Sequence, residues 1–374
     1  MIPGLALLVL VVLVGCDEAP VDAPRDVGLD AHLDAPELAR ALPPFLPEGG
    51  GPVAIGPREE RVSSAACGAC HAREHAAWTR SAHARSHLDP LYQRELAIRP
   101  SRACERCHAP LAEEVSSRTE GAWADEGVGC ASCHVRDGVV VHTRASGQAP
   151  HETRIDARVG EVEGCRSCHQ FHFPAPERPS LHATFDPNDW LQDTVSEWSA
   201  SAEGARGLTC IGCHLAEDEG RHDHALPGLR DRAMRARALD VEAEVHVERR
   251  VDVVTLTLRS RAGHAVPTGD LYRVLEVRAW REGEPASARS EQLGRVYERR
   301  GAHRLEVEDD RVMPSEPRVV TLRLPRLDRT DRPVSWTIRV WRLDPAVVRR
   351  AQLEDAVHEF AHGRLVPSRR PSEQ

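Results

Sequence analysis

The 374-residue chain is long enough for two domains with further segments at its ends. Its net charge of -9 is modest and speaks against a nucleic-acid partner. Aromatic residues make up only 4%, thin unless something besides side chains fills the core, and every one of the 49 basic residues is arginine, which excludes a lysine ligand or nucleophile.

Residues 2–15 are uncharged and apolar, too short to span a bilayer but suited to a signal-peptide core. Leu13-Val14-Gly15-Cys16 has the form of a bacterial lipobox, with small residues before a cysteine that accepts a diacylglyceryl group. Residues 1–16 are therefore expected to be a lipoprotein signal peptide with Cys16 lipidated, although no positive residue precedes the apolar run. A buried N-terminal helix is the competing reading, opposed by Asp17, Glu18 and the Pro/Asp-rich stretch that follows. Residues 17–60 are expected to be a flexible tether. This gives an exported protein, lipid-anchored at the bacterial membrane and facing the periplasm, with inner and outer membrane both open.

Of eleven cysteines, the ten beyond Cys16 form five Cys-x-x-Cys pairs, each followed at once by histidine. They are Cys67 and Cys70 with His71, Cys104 and Cys107 with His108, Cys130 and Cys133 with His134, Cys165 and Cys168 with His169, and Cys210 and Cys213 with His214. Two thiols on one helical turn can each add to a haem vinyl group, and the adjacent histidine is then the proximal iron ligand. Zinc ribbons do not demand histidine after every pair, redox Cys-x-x-Cys motifs occur singly, and five three-residue disulfides would staple almost nothing. Five covalently bound haem c groups are expected, on short helices joined by loops across residues 61–235. Trp78, Trp123, Trp190 and Trp198 are candidates to pack among them.

Five of the 20 histidines are spent on the motifs, which leaves fifteen candidates for the distal position. His151, between the third and fourth motifs, is one, with His142 as its competitor. The segment from Cys67 to His87 resembles the nitrifier tetrahaem cytochrome family (cytochrome c five-five-four), whose first motif is followed by W-x-x-S-x-H. Here those residues are Trp78, Ser81 and His83, so the resemblance implies His83 as a distal ligand. The stretches Cys104–Glu114, Gly127–Gly138, Cys165–Phe173 and Gln192–Trp198 are similar to a broader group of multihaem cytochromes with a fused β domain. That resemblance covers most of residues 65–340 and implies two more distal ligands, His224 and His264. Five motifs instead of four, and a different C-terminal half, depart from the nitrifier family. The fifth distal ligand is open among His182, His172, His75 and His87.

From about Leu239 the pattern changes to period-two alternation of Val, Leu, Thr and Arg. Strands are predicted at 239–248, 251–260, 271–281, 293–299, 303–308, 317–324 and 334–343. The expected fold is α+β in two domains, a loop-rich helical multihaem domain (61–235) followed by an immunoglobulin-like antiparallel β-sandwich (236–344). In the loop Ala262–Asp270, Pro267 and Gly269 make a rigid turn, and the resemblance implies that the loop docks on the haem domain. A tail helix is expected from 345 to 363, within a tail running to 374. It contains His358-Glu359-Phe360-Ala361-His362, a literal H-E-x-x-H, but no suitably spaced third zinc ligand follows.

The expected function is electron transfer at the membrane surface, by a carrier rather than an enzyme. Its partner would be a redox protein or a quinol-linked membrane complex. The alternative is a multihaem oxidoreductase with one open haem acting on a small nitrogen or sulfur compound. A lysine-ligated ammonia-forming site is excluded, and Tyr92, Tyr272 and Tyr297 lie in no context suggesting a haem cross-link.

Overall fold

The computed structural model describes residues 63–98, 102–111, 126–143, 149–174, 184–218, 220–328, 330–353 and 355–367. The expected signal peptide, Cys16, the tether, Trp123 and His182 lie outside these residues. No helix among the described residues is long and apolar enough to cross a membrane.

Short helices dominate the first half. In chain order they are α1 (Ser64–Gly68), α2 (Ala72–Trp78), α3 (Pro90–Ile98), α4 (Arg102–His108), α5 (Cys130–His134), α6 (Glu163–His169), α7 (Thr194–Ser199), α8 (Ala202–Ala205), α9 (Cys210–His214) and α10 (Arg232–Ala238). Four motifs lie wholly within α4, α5, α6 and α9, while the first begins in α1 and reaches His71 just before α2. Side-chain caps start several of them. Ser63 accepts from Ala66 N at 3.2 Å, Thr209 accepts from Gly212 N at 3.4 Å, and Asp231 accepts from Met234 N at 2.7 Å. Helices of five to seven residues do not hold themselves together in water, so tertiary contacts or covalent attachment must supply the rest.

Short strands join these helices. At α5 the chain passes straight into the hairpin β1 (Val135–Arg136) and β2 (Val139–His142). Asp137 and Gly138, at φ 54° and 74°, form its two-residue turn, the Asp-Gly pair that a right-twisted hairpin prefers. β3 (Thr153–Ile155) pairs parallel to β2, β4 (Gln170–His172) pairs with β6 (Trp190–Asp193), and β7 (Glu217–Asp218) pairs with β8 (Arg221–His222).

The second half is antiparallel sheet. One sheet has the order β15 (Arg318–Pro325), β10 (Val251–Ser260), β9 (Leu239–Glu248). The other runs β12 (Glu284–Leu293), β11 (Val274–Arg281), β16 (Val334–Trp341), β17 (Val357–Leu365). Their inward residues share one apolar core that includes Val254, Leu256 and Leu258 from β10, Leu275 and Val277 from β11, and Ile338 and Val340 from β16. The molecule is thus mixed helix and sheet, as expected of an α+β chain.

Three sheet assignments differ from the sequence expectation. The strand β12 has Pro285 and small polar residues and shows little strand character by itself. It forms at the sheet edge, where proline is tolerated. The strands predicted at 293–299 and 303–308 form as β13 (Arg295–Arg300) and β14 (His303–Asp309), but leave the two main sheets. They make a separate sheet in which β14 pairs parallel to β5 (Thr184–Phe185) of the haem-motif half. Phe173, Phe185 and Tyr297 pack there as a ring cluster, with centroids 4.3–5.9 Å apart.

The predicted tail helix is corrected too. Only Pro345–Ala351 is helical (α11), capped by Asp344, and Val357–Leu365 is β17, paired along β16. The residues of β17 alternate between exposed and half-buried around one bulge, the strand completes the open edge of β16, and backbone pairing there outweighs helix propensity. His358 and His362 therefore sit on an extended, bulged strand and face different surroundings, His358 half-buried towards Asp355 and His362 exposed on Glu359, so they do not converge as the i, i+4 pair of a helix would. The H-E-x-x-H zinc reading ends there.

Candidate haem centres

The five motifs converge. Ser64 at the start of α1 donates its hydroxyl to the buried Glu126 at 2.5 Å and accepts from Cys130 N at 2.9 Å, which ties the first motif to the third. Burial is the main influence on Glu126 and raises its pKa. Thiol contacts trace the other neighbours. Cys67 meets Cys130, Cys107 meets Cys168, and Cys165 meets Cys210. Arg106 also reaches Ser167 O at 3.4 Å. The fourth motif thus touches both the second and the fifth.

Cys70, Cys133 and Cys213 are exposed, each the second thiol of its pair, while the other motif cysteines are half-buried.

Around His83, Trp78 donates Nε1–H to Val128 O at 2.9 Å, the buried Ser81 hydroxyl accepts from Ala84 N, and Val128 N donates to His83 O. This lattice holds the turn after α2 against the approach to α5. It leaves the His83 ring 6.2 Å from that of His169. Desolvation by burial pushes His83 down to about 4 and His169 down to about 3, so both imidazoles are neutral, the form that binds a metal.

Two other pairs have the same spacing. His134 and His224 are 6.2 Å apart, and His214 and His264 are 6.3 Å apart with rings within 10° of parallel. Two metal–imidazole bonds of about 2 Å each, with each ring centroid roughly 1 Å behind its nitrogen, require roughly this separation. Second-neighbour hydrogen bonds point the same way. The Nδ1 atoms of His134, His214, His224 and His264 face the carbonyls of Val141, Pro227, His222 and Ala265 at 2.7–3.0 Å. A carbonyl only accepts, so Nδ1 carries the proton and Nε2 keeps the lone pair that a metal needs.

No imidazole among the described residues faces His71 or His108 at this spacing. The His108 ring stacks on Tyr92 at 3.8 Å and 2°, with its Nδ1 against Ser86 O at 2.8 Å. His87 is buried and lies 5.8 Å from Tyr92. His151 is exposed and faces no other ring among the described residues, whereas Nε2 of its competitor His142 is buried without a hydrogen-bond partner among them. His172 stacks on Trp190 at 3.7 Å, and His75 lies 5.5 Å from Trp78.

Three further residues were invisible in the sequence. Glu197 on α7 and Arg311, which follows β14, form a buried ion pair at 2.6 Å beside the His264 loop. Arg273 is half-buried, and desolvation lowers its pKa. It donates to Thr268 O at 2.7 Å, and no carboxylate among the described residues lies within ion-pair distance of it. No local spacing distinguishes these residues from the chain's many other charged ones.

Residues 66–135, which span the first three motifs, match the family model described as cytochrome c554 and c-prime. Among solved structures, the penta-heme cytochrome c552 from Thermochromatium tepidum superposes with a TM-score of 0.64 at 17% identity, covering 82% of this chain and 99% of its own. At that identity the likeness speaks for the fold. A Mu homology domain of Fcho1 from Danio rerio also matches, but its TM-score of 0.15 carries no argument. No curated protein matches the chain. Together with the five motifs, the family match and the fold support a multihaem c-type cytochrome.

Proposed function

We propose that this chain is a pentahaem c-type cytochrome that transfers electrons, exported and lipid-anchored through Cys16 on the periplasm-facing side of a bacterial membrane. The observation that carries the electron-transfer reading is the set of three facing imidazole pairs at 6.2–6.3 Å, each joining one motif histidine to a distant one. Haem c bound there supplies a one-electron iron centre, and two histidines per iron keep it low-spin with little rearrangement.

On this reading the ten motif cysteines form the thioethers. His71, His108, His134, His169 and His214 are proximal ligands, with His83 distal to His169, His224 distal to His134 and His264 distal to His214. The orphaned Nε2 of His142 favours it over the exposed His151 as a further ligand. The C-terminal half is proposed to be an immunoglobulin-like sandwich, a reading supported by the sheet orders β15-β10-β9 and β12-β11-β16-β17. A redox protein or a quinol-linked membrane complex is the proposed partner.

Matured in an exporting host, the holoprotein is expected to contain five haems per chain, checked by haemochrome assay against protein mass. Three or more should be low-spin by electron spin resonance. Fewer than five haems would defeat the reading. A second reading is an oxidoreductase with one open iron, favoured by the stacking of Tyr92, instead of an imidazole, on His108. One high-spin haem that binds cyanide or nitric oxide would support it, and five low-spin haems would remove it.

Arg273 supplies a further prediction. A half-buried guanidinium with one carbonyl acceptor suits an anion, and on this reading a haem propionate fits. Its charge acts on His169. Arg273→Gln is expected to lower one midpoint potential with the haem count unchanged, because loss of a nearby positive charge favours the oxidised iron. Redox titration showing five unaltered potentials would count against this pairing.

A further inference from the structure

His264 comes from the sheet-rich half and His214 from the helical half, so their alignment depends on how firmly the loop Ala262–Asp270 is held. We propose that Glu197 is the positioning residue that holds His264 in line with His214, by clamping this loop with a buried carboxylate. The inference rests on the reading of His214 and His264 as axial partners of one iron.

Glu197 lies on α7, separated from the fifth motif by α8, and its side chain is only 2% exposed. Its Oε2 accepts from Ala265 N at 3.1 Å and from the Thr268 hydroxyl at 2.6 Å. Its Oε1 accepts from the Arg311 guanidinium at 2.6 Å. All three donors belong to the sheet-rich half, and two of them are on the loop itself. Burying a carboxylate is costly without such donors, so the loop and the carboxylate hold each other in place.

The path from clamp to ligand is one residue long. Ala265 gives its N–H to Glu197, while its carbonyl accepts from His264 Nδ1 at 3.0 Å. A shift of the carboxylate therefore moves the residue that orients the imidazole. The rest of the loop is fixed around it. Ser260 donates to His264 O at 2.9 Å, Val266 and Val312 exchange both backbone hydrogen bonds at 2.9 and 3.1 Å, and Thr194 meets Thr268 at 2.9 Å. Arg311 also reaches Pro267 O at 3.3 Å, and Asp309 grips it at 2.7 and 2.9 Å. Burial opposes the Arg311 charge, but the Asp309 hydrogen bond and the Glu197 charge outweigh it and raise its pKa.

Charge makes the role distinguishable from simple packing. The Glu197 carboxylate and the Arg311 guanidinium act on the His264 ring with opposite signs, the carboxylate more strongly. The negative charge of Glu197 favours the oxidised iron. Glutamine at position 197 would keep the shape, lose the charge and turn a donor group towards Arg311 or the loop N–H.

The test uses the full-length, fully matured holoprotein, four single variants (His264→Ala, Glu197→Gln, Glu197→Ala and Thr268→Val) and the Glu197→Ala/His264→Ala double variant. His264→Ala is expected to convert one haem from low to high spin. Glu197→Ala should produce the same high-spin signal, in whole or in part, and the double variant with His264→Ala should add nothing to it. Glu197→Gln should move a single midpoint potential upward with five haems retained. The clamp is overturned if His264→Ala shows the high-spin haem while both Glu197 variants keep parental spin states and potentials. Parental spectra in His264→Ala would instead overturn the axial-pair reading on which the clamp rests. Where Glu197→Ala fails to accumulate, Thr268→Val decides. It removes one donor and leaves the Glu197–Arg311 pair, and should give a smaller high-spin fraction, with no change counting against the clamp.

Discussion

A variant with both Cys165 and Cys168 changed to alanine is expected to lose more than one haem, whereas the same change at Cys210 and Cys213 should cost only one. The fourth motif is the meeting point of the set. Cys168 touches Cys107 of the second motif, Cys165 touches Cys210 of the fifth, and His169 faces His83 from the turn after the first. The helices involved have five to seven residues, below the length at which a helix sustains itself, so their order comes from the groups they enclose and from one another. Removing the attachment at the centre leaves three neighbours with an unfilled flank. Removing it at the fifth motif leaves one. Haem-to-protein ratio and limited proteolysis of the purified variants would check this. A four-haem, protease-resistant Cys165→Ala/Cys168→Ala protein would refute the central role of that motif.

Arg281→Met is expected to destabilise the sheet-rich half by about 3–5 kcal/mol, the usual cost of removing one partner from a buried charge network. The Arg281 side chain is wholly buried. It lies 3.0 Å from the equally buried Asp252, out of line for a hydrogen bond, and 2.8 Å from Glu284, and it donates to Thr330 O at 2.6 Å. Arg326 holds Asp252 at 2.8 Å and Arg332 holds Glu284 at 3.1 Å, so the two acids are not left wholly unpaired and the lower end of the range is the better expectation. Chemical denaturation followed by far-ultraviolet circular dichroism measures the loss. Adding Glu284→Gln should recover part of it. An Arg281→Met protein as stable as the parent would show that the network is energetically neutral.

Much of the sheet-rich half was legible in the chain. Leu239–Glu248 and Val251–Ser260 alternate apolar and polar residues around a two-residue connection, and both strands form with those limits. Legibility failed where an element depends on its neighbour. The β12 segment is poor in strand formers and exists because β11 offers it an edge. The segment that becomes β17 carries a pattern also compatible with a helix, and the open edge of β16 decides between the two. Likewise, nothing in the spacing of Arg295–Asp309 indicates that β14 will pair with Thr184–Phe185 across the molecule.

The candidate site divides along the same line. By itself, the sequence determined where haem is expected to attach and which histidine stands next to each attachment, because two thiols and an imidazole on one helical turn are a local matter. It also narrowed the facing histidines, since His83, His224 and His264 stand in recognisable surroundings. Only the tertiary structure decided which ring faces which, that Cys67 meets Cys130, that His151 is exposed while His142 turns an unpartnered nitrogen inward, and that Glu197 meets the His264 loop. Those relations are distances between segments remote in the chain. They are set by how short helices and sheet edges pack, and no spacing along the backbone encodes them.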